Sequence, residues 1–433
     1  MVVASFSIEG LIYKILIQSK QTTIRELNEK WERELNRYIS DKEIDINLEF
    51  WWKQRSQYGF KFLDSPVIKL ELYRLKNMSE KDAILDGGNN KKELLGFFNK
   101  KYGDDYLTKD FIRIWWELWW HKESNKAIQP NKTNIDWFDS LGQKLFTINP
   151  FIFHKGETKR INLTKRIQIR KEKLKDKTLA TKRINKLKSE LKELQEKYKA
   201  LNESANVINC MYNCLYCYAR NFFIRMPSNY KSGLYEARLK GLKYCQDNVF
   251  IESISDLFHD RIPDDFIQYI IERVNFYNNQ YNKCQIYFLT KNPTKYLNLI
   301  EFLDPNTNWI GTTIESDTYE YQNIENITHA PNLDERIEKF SEIQYKKKFL
   351  SIEPNLRFTK GFANKLINTD SALGFVGVNT DRKTKNHLIE PKPKQIQELI
   401  LDLEDSGMMV IKKDNLHRIL PDSKYLTLDN FIQ

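Results

Sequence analysis

Cys210, Cys214 and Cys217 stand in the run Asn209-Cys-Met-Tyr-Asn-Cys-Leu-Tyr-Cys-Tyr-Ala-Arg220, so three of the chain's five cysteines fall within eight positions at the spacing C-x3-C-x2-C. Thiolate is the soft ligand that iron-sulfur clusters select, and a cubane carries four irons. Three neighbouring thiolates would therefore leave one iron of a 4Fe-4S cluster open to a substrate or cofactor. Two plainer readings compete with this one. Structural zinc takes four closed ligands, usually as paired C-x2-C knuckles or with nearby His, and the chain has no second knuckle. A free cysteine is also often a small core residue, a reading that leaves the clustering unexplained.

The elements that must position such a loop come from a chain of 433 residues, whose 41% hydrophobic and 13% aromatic content suffices for two or three folded domains. No apolar run approaches the roughly 18 residues of a membrane span, so no membrane partner is expected. Glu9 and Lys14 interrupt an opening stretch that lacks a basic start, so no signal peptide is expected either. An odd number of cysteines without a disulfide-like framework points to the reducing cytoplasm. The net charge of +11 is concentrated: Lys155 to Lys199 holds 17 Lys and Arg against 6 Asp and Glu, and the remainder is neutral.

Residues 1–150 are expected to form a Trp-rich, mainly helical domain. Leu27, Trp31 and Leu35 recur at helical spacing, and Trp115, Trp116, Trp119 and Trp120 fall at i, i+1, i+4 and i+5, one face of a helix. Such a tetrad serves either as a stacking platform for unpaired bases or as an ordinary aromatic core face. Residues 151–203 read as a basic helical hairpin or linker, with a heptad seam at Ile184, Leu187, Leu191, Leu194, Tyr198 and Leu201. Lys182, Arg183, Lys186 and Lys188 are the candidate phosphate contacts there, and a solvated linker helix is the alternative.

From Asn206 onward short apolar runs alternate with helical stretches, the pattern of a parallel α/β unit. Seven candidate strands are Val207 to Cys210, Asn248 to Ile254, Cys284 to Thr290, Trp309 to Ile314, Phe349 to Glu353, Ala372 to Val378 and Met408 to Lys412. A partial (βα) barrel over residues 204–420, with 421–433 as a tail, accommodates them. Polar residues persist at the strands' carboxyl ends, among them Ser253, Ser255, Asp256, Lys291, Glu315, Glu353, Asn379 and Lys413.

The triad together with Tyr216-Cys-Tyr-Ala-Arg220 resembles the cluster loop of the radical S-adenosylmethionine (SAM) superfamily, in the branch that contains spore photoproduct lyase and related DNA-repair proteins. Ser253-Ile-Ser-Asp-Leu-Phe-His259, Leu289-Thr-Lys-Asn-Pro293, Trp309-Ile-Gly311 and Phe349-Leu-Ser-Ile-Glu-Pro354 are similar to a phage-borne, largely uncharacterised family in the same neighbourhood. The resemblance spans about residues 206–415. It implies a radical-SAM-type partial barrel in which Cys210, Cys214 and Cys217 hold a 4Fe-4S cluster and the open iron binds SAM, whose reductive cleavage gives a 5'-deoxyadenosyl radical. It further implies Tyr216 against the adenine, Ser253 and Ser255 at the SAM amino group, and Lys291 and Glu315 at its carboxylate and ribose; Lys291 and Glu315 would equally make a barrel-mouth ion pair. A reductant such as flavodoxin or ferredoxin is implied as well. The usual Gly-Gly-Glu pattern is missing after the second candidate strand, and the phage-borne relatives often space their first two cysteines more widely.

Cys245 and Cys284 fall at the amino ends of strands, where packing explains them better than hydrogen-atom transfer. Asp256 and His259 would either handle protons or cap the following helix. The expected function is radical modification of a nucleic acid, either DNA-lesion repair or base modification. The alternatives are radical modification of a peptide or protein, and a nucleic-acid-binding protein with a structural metal site.

Overall fold

The computed structural model describes residues 2–6, 11–17, 20–40, 46–52, 60–116, 131–132, 145–149, 151–152, 187–193, 210, 212–217, 219, 233–234, 236–281, 283–322, 327–379 and 388–420. The chain divides into two compact units, residues 1–128 with 261–274 and residues 129–260 with 275–433.

The first unit corrects the expectation of a mainly helical domain. It holds a five-stranded sheet built from β1 (Val2–Phe6), β2 (Thr22–Glu26), β3 (Asn47–Trp52), β4 (Phe60–Tyr73) and β5 (Phe111–Trp116), in the order β1-β3-β4-β5-β2. Trp115 and Trp116 belong to β5, and Trp119 and Trp120 lie outside the described residues. Apart from Arg113, every residue of the run Phe111-Ile-Arg-Ile-Trp-Trp116 is β-branched or aromatic, which favours a pleated surface over a helix. Successive side chains of a strand point to opposite faces. Trp116 accordingly packs on Phe50, with centroids 4.9 Å apart, whereas the Trp115 ring is covered by the Arg113 guanidinium at 4.3 Å. The helical spacing of Trp31 and Leu35 is real, and both are buried in helix Glu29–Ser40.

The second unit is an eight-stranded sheet ordered β15-β14-β13-β12-β11-β10-β7-β6. Its members are β6 (Asn131–Lys132), β7 (Leu145–Ile148), β10 (Asn248–Ile251), β11 (Gln285–Thr290), β12 (Asn308–Thr313), β13 (Lys348–Ile352), β14 (Leu373–Val376) and β15 (Met409–Lys412). The ribbon of β8 (Phe151–Ile152) and β9 (Gly233–Leu234) stands apart from it. All but β6 run parallel and curl into a half-barrel, with a helix in each crossover from β10 onward. Strands buried on both faces read as continuous apolar runs, and every residue of β10, β13 and β14 is buried. Leu145, Phe250, Tyr287, Phe349, Phe375 and Ile411 form one core cluster across the sheet. Gly311 in β12 leaves the space that the Phe349 ring fills, since a Cβ there would overlap the ring.

Six strands fall where the apolar runs place them. The seventh does not: Cys210 lies outside any strand, residues 207–209 are outside the described set, and β7 occupies the position beside β10. Leu-Phe-Thr-Ile is a four-residue strand closed by Asn149-Pro150, too short for its periodicity to stand out. The basic segment therefore lies between the first parallel strand and the cysteine loop. Lys182, Arg183 and Lys186 are outside the described residues, and Lys188 is exposed on the helical stretch 187–193.

Candidate functional site

The cysteine loop sits by the carboxyl ends of the parallel strands, held by a strap at residues 327–329. Leu215 N–H donates to Ile327 O at 2.9 Å and His329 N–H to Tyr212 O at 2.7 Å. Cys214 Sγ lies 3.2 Å from Thr328 Oγ1. Asn213 takes the left-handed conformation, φ 51°, which Asn tolerates better than most residues. Cys217 N–H closes a turn onto Cys214 O at 3.2 Å.

Glu315 follows β12 and is wholly buried. Its Oε1 accepts from the Tyr216 hydroxyl and the Lys291 ammonium, while Arg336 Nη1 reaches Oε2 at 2.8 Å. Arg336, itself 0% exposed, also donates to Thr313 O at 2.7 Å and to the Tyr319 hydroxyl at 2.9 Å. Lys291 lies over the Tyr216 ring at 5.2 Å. Burial raises the Glu315 carboxyl above its ordinary value, opposed by Arg336. Burial likewise lowers the Lys291 ammonium to about 8. Tyr216, Lys291 and Glu315, named separately in the sequence, are thus one hydrogen-bonded group, and the expected ion pair is present.

The two serines differ. Ser253 Oγ hydrogen-bonds to Asn149 Oδ1 at 3.3 Å, tying the chain after β10 to the end of β7. Ser255 Oγ is buried without a partner among the described residues. Asp256 acts structurally: its carboxylate accepts from Thr290 Oγ1 at 2.7 Å, Lys291 N–H at 2.8 Å and Phe258 N–H at 3.1 Å, fastening the ends of β10 and β11. Burial still pushes it up to about 6. His259 packs on Tyr212, centroids 4.3 Å apart, and its Nδ1 meets Asp260 at 2.6 Å. Cys245 and Cys284 are buried, next to the amino ends of β10 and β11. A second polar group stands at the ends of β13 to β15, where Glu353 accepts from Lys413 and from Asn415 Nδ2 at 2.7 Å.

Arg336, Tyr319 and Thr328 escaped the sequence reading. For Arg336 a signal existed: Leu333, Ile337 and Phe340 form the buried stripe of helix Leu333–Glu342, and Arg336 falls within it. A cation on an apolar stripe needs a buried anion. For Thr328 no periodicity marks the strap.

The donor set fits an iron-sulfur cubane in kind. Burial raises the Cys210 thiol well above its ordinary value, and Asp256, Cys214 and Cys217 add repulsion that a cationic iron-sulfur core would offset. Burial also raises Cys214, but Lys291 and Arg336 both pull against it and so favour the thiolate. Two buried polar atoms of this loop, Tyr212 OH and Asn213 Oδ1, have no hydrogen-bond partner among the described residues, and the same holds for Ser255 Oγ after β10 and Thr147 Oγ1 in β7. Among the described residues no three His, Cys, Asp or Glu side chains converge as the ligands of one ion would. The thiolates of a cubane each hold a different iron and do not require that convergence. Among the described residues no helix is long and apolar enough to cross a membrane.

No curated protein and no solved structure matches the chain. Residues 209–368, which carry the cysteine loop, the Tyr216–Lys291–Glu315–Arg336 group and the strands β10 to β13, are similar to a family described as a protein of unknown function, DUF5131.

Proposed function

We propose that the protein is a radical SAM enzyme that holds a 4Fe-4S cluster on Cys210, Cys214 and Cys217 and acts on nucleic acid, in lesion repair or base modification. The observation that carries this reading is the meeting of a three-thiol loop with the buried Tyr216–Glu315–Lys291–Arg336 group at the carboxyl end of a parallel half-barrel, the end where such folds collect their chemistry. A cluster held on these three thiolates would, with SAM bound, supply one-electron chemistry for hydrogen-atom abstraction from the substrate. A flavodoxin- or ferredoxin-type donor would resupply the electron.

The chain's own residues have separable tasks. Cys210, Cys214 and Cys217 bind the metal. Tyr216 offers a ring face to the adenine and is fixed by its hydroxyl on Glu315. Ser255 has an unpartnered hydroxyl for the SAM amino group, whereas Ser253 is committed to Asn149. Lys291 supplies positive charge toward a carboxylate, and Arg336 keeps Glu315 charged once Lys291 turns to a ligand. Nucleic acid is favoured by the concentration of all net positive charge in residues 155–199, between β7 and the cysteine loop. A base in a duplex would have to be flipped, or already unpaired, to reach the barrel mouth.

Anaerobic reconstitution with iron and sulfide should load about four irons per chain, the content of one cubane. Incubation with SAM and dithionite should then release 5'-deoxyadenosine, and Cys214→Ser should abolish both results. Stoichiometric zinc in iron-free protein, unchanged by that substitution, would overturn the reading.

A further inference from the structure

Thr328 stands in the strap that holds the cysteine loop, and its hydroxyl is oriented by its neighbours. Ala330 N–H donates to Thr328 Oγ1 at 3.1 Å, so the oxygen already accepts one hydrogen bond and its own proton is left to be given away. Two acceptors lie within reach, Cys214 Sγ at 3.2 Å and Tyr212 O at 3.4 Å. Tyr212 O already accepts from His329 N–H at 2.7 Å, whereas a cysteine that ligates a metal is a thiolate and can only accept. The sulfur is nearer and ionised, and hydrogen bonds to charged groups are about twice as strong as neutral ones. The backbone holds Thr328 in place, because Leu215 N–H to Ile327 O and His329 N–H to Tyr212 O fasten the residues on either side of it. Cys214 is also the buried member of the three candidate ligands, 6% exposed, while Cys210 and Cys217 are half-buried, so water competes least for its sulfur.

We infer that the Thr328 hydroxyl donates to the Cys214 sulfur and thereby sets the reduction potential of the cluster, an inference that rests on the iron-sulfur reading above. Reduction adds one negative charge, part of which the ligand sulfurs carry, so a donor at sulfur stabilises the reduced state more than the oxidised one. Hydrogen bonds to the sulfurs are among the means by which proteins tune such potentials. The hydroxyl therefore raises the potential and makes the cluster easier for a flavodoxin- or ferredoxin-type donor to reduce. Thr328 is in this role a positioning residue that acts on the iron through Cys214.

The test uses the full chain, reconstituted anaerobically with iron and sulfide and titrated electrochemically with mediators, the reduced cluster being followed by its electron paramagnetic resonance signal. Thr328→Val keeps the shape of the side chain and removes the hydroxyl. It should load as much iron as the parent, and at the parent's midpoint its ratio of reduced to oxidised cluster should fall about tenfold, a shift of about 59 mV to more negative potential for a one-electron couple. Thr328→Ser keeps the hydroxyl and should titrate with the parent. A midpoint does not depend on the fraction of chains that carry a cluster, so incomplete loading leaves the comparison intact. A Thr328→Val midpoint equal to the parent's, or a Thr328→Ser midpoint displaced as far as that of Thr328→Val, would overturn the assignment while leaving the iron-sulfur reading in place. Complete loss of the cluster from Thr328→Val, whether or not Thr328→Ser retains it, would make the residue one needed for assembly and would equally overturn the assignment. A folded parent that takes up no iron-sulfur cluster would overturn both.

Discussion

Arg336 Nη1 lies 2.8 Å from Glu315 Oε2, and both side chains are completely buried. The pair joins the helix before β13 to the end of β12, and the same carboxylate holds Tyr216 of the cysteine loop and Lys291 at the end of β11. Glu315 is thus the point through which three carboxyl-end segments fix one another's position.

Removing one member of a buried pair leaves the other charge uncompensated, typically at a cost of about 3–5 kcal/mol. Arg336→Met should therefore destabilise the protein by about 3 kcal/mol in urea unfolding, and adding Glu315→Gln should recover a large part of that loss. Additive losses in the double variant would show that the two side chains do not depend on each other.

Lys348 tests the electrostatics of the half-barrel away from the cysteine loop. It is 1% exposed, its Nζ donates to Ile343 O at 3.1 Å, and burial lowers its ammonium from 10.5 to about 8, with Asp370 opposing. Between those two values the unfolded chain binds a proton that the folded chain has released, so this group makes stability rise with pH across that window; below about 8 both states are protonated and its penalty is constant. Lys348→Met should be more stable than the parent near neutrality, by roughly 1 kcal/mol after the lost hydrogen bond is counted, and the difference should shrink toward pH 10. A difference that is the same at both ends of the window would contradict the assignment.

The basic segment makes a separate electrostatic prediction. Replacing Lys182, Arg183, Lys186 and Lys188 with Gln keeps helix propensity and removes charge. Binding should weaken, and the slope of log affinity against log salt, about −0.7 per neutralised phosphate for single strands and −0.9 for duplex DNA, should flatten. Binding identical to the parent's at every salt concentration would mark the segment as a linker and favour a peptide substrate.

The candidate ligands were legible in the sequence because their pattern is local: the spacing of Cys210, Cys214 and Cys217 is set within eight residues, and six parallel strands announce themselves as short buried apolar runs. The polar residues at their ends, Ser255, Lys291 and Glu315 among them, followed from the rule that such strands deliver chemistry at one end. Tertiary structure decided the rest. Which partners Glu315 takes depends on residues 99, 24 and 21 positions away, and no local pattern encodes those distances. The contact of Thr328 with Cys214 is visible only once the strap lies against the loop. Leu145–Ile148 became the first parallel strand by pairing with Asn248–Ile251, a contact across about a hundred residues. In the first unit the spacing of Trp115 and Trp116 pointed to a helix, and pairing with β2 and β4 made it a strand, because ladder hydrogen bonds and burial on both faces outweigh a periodicity read from few positions.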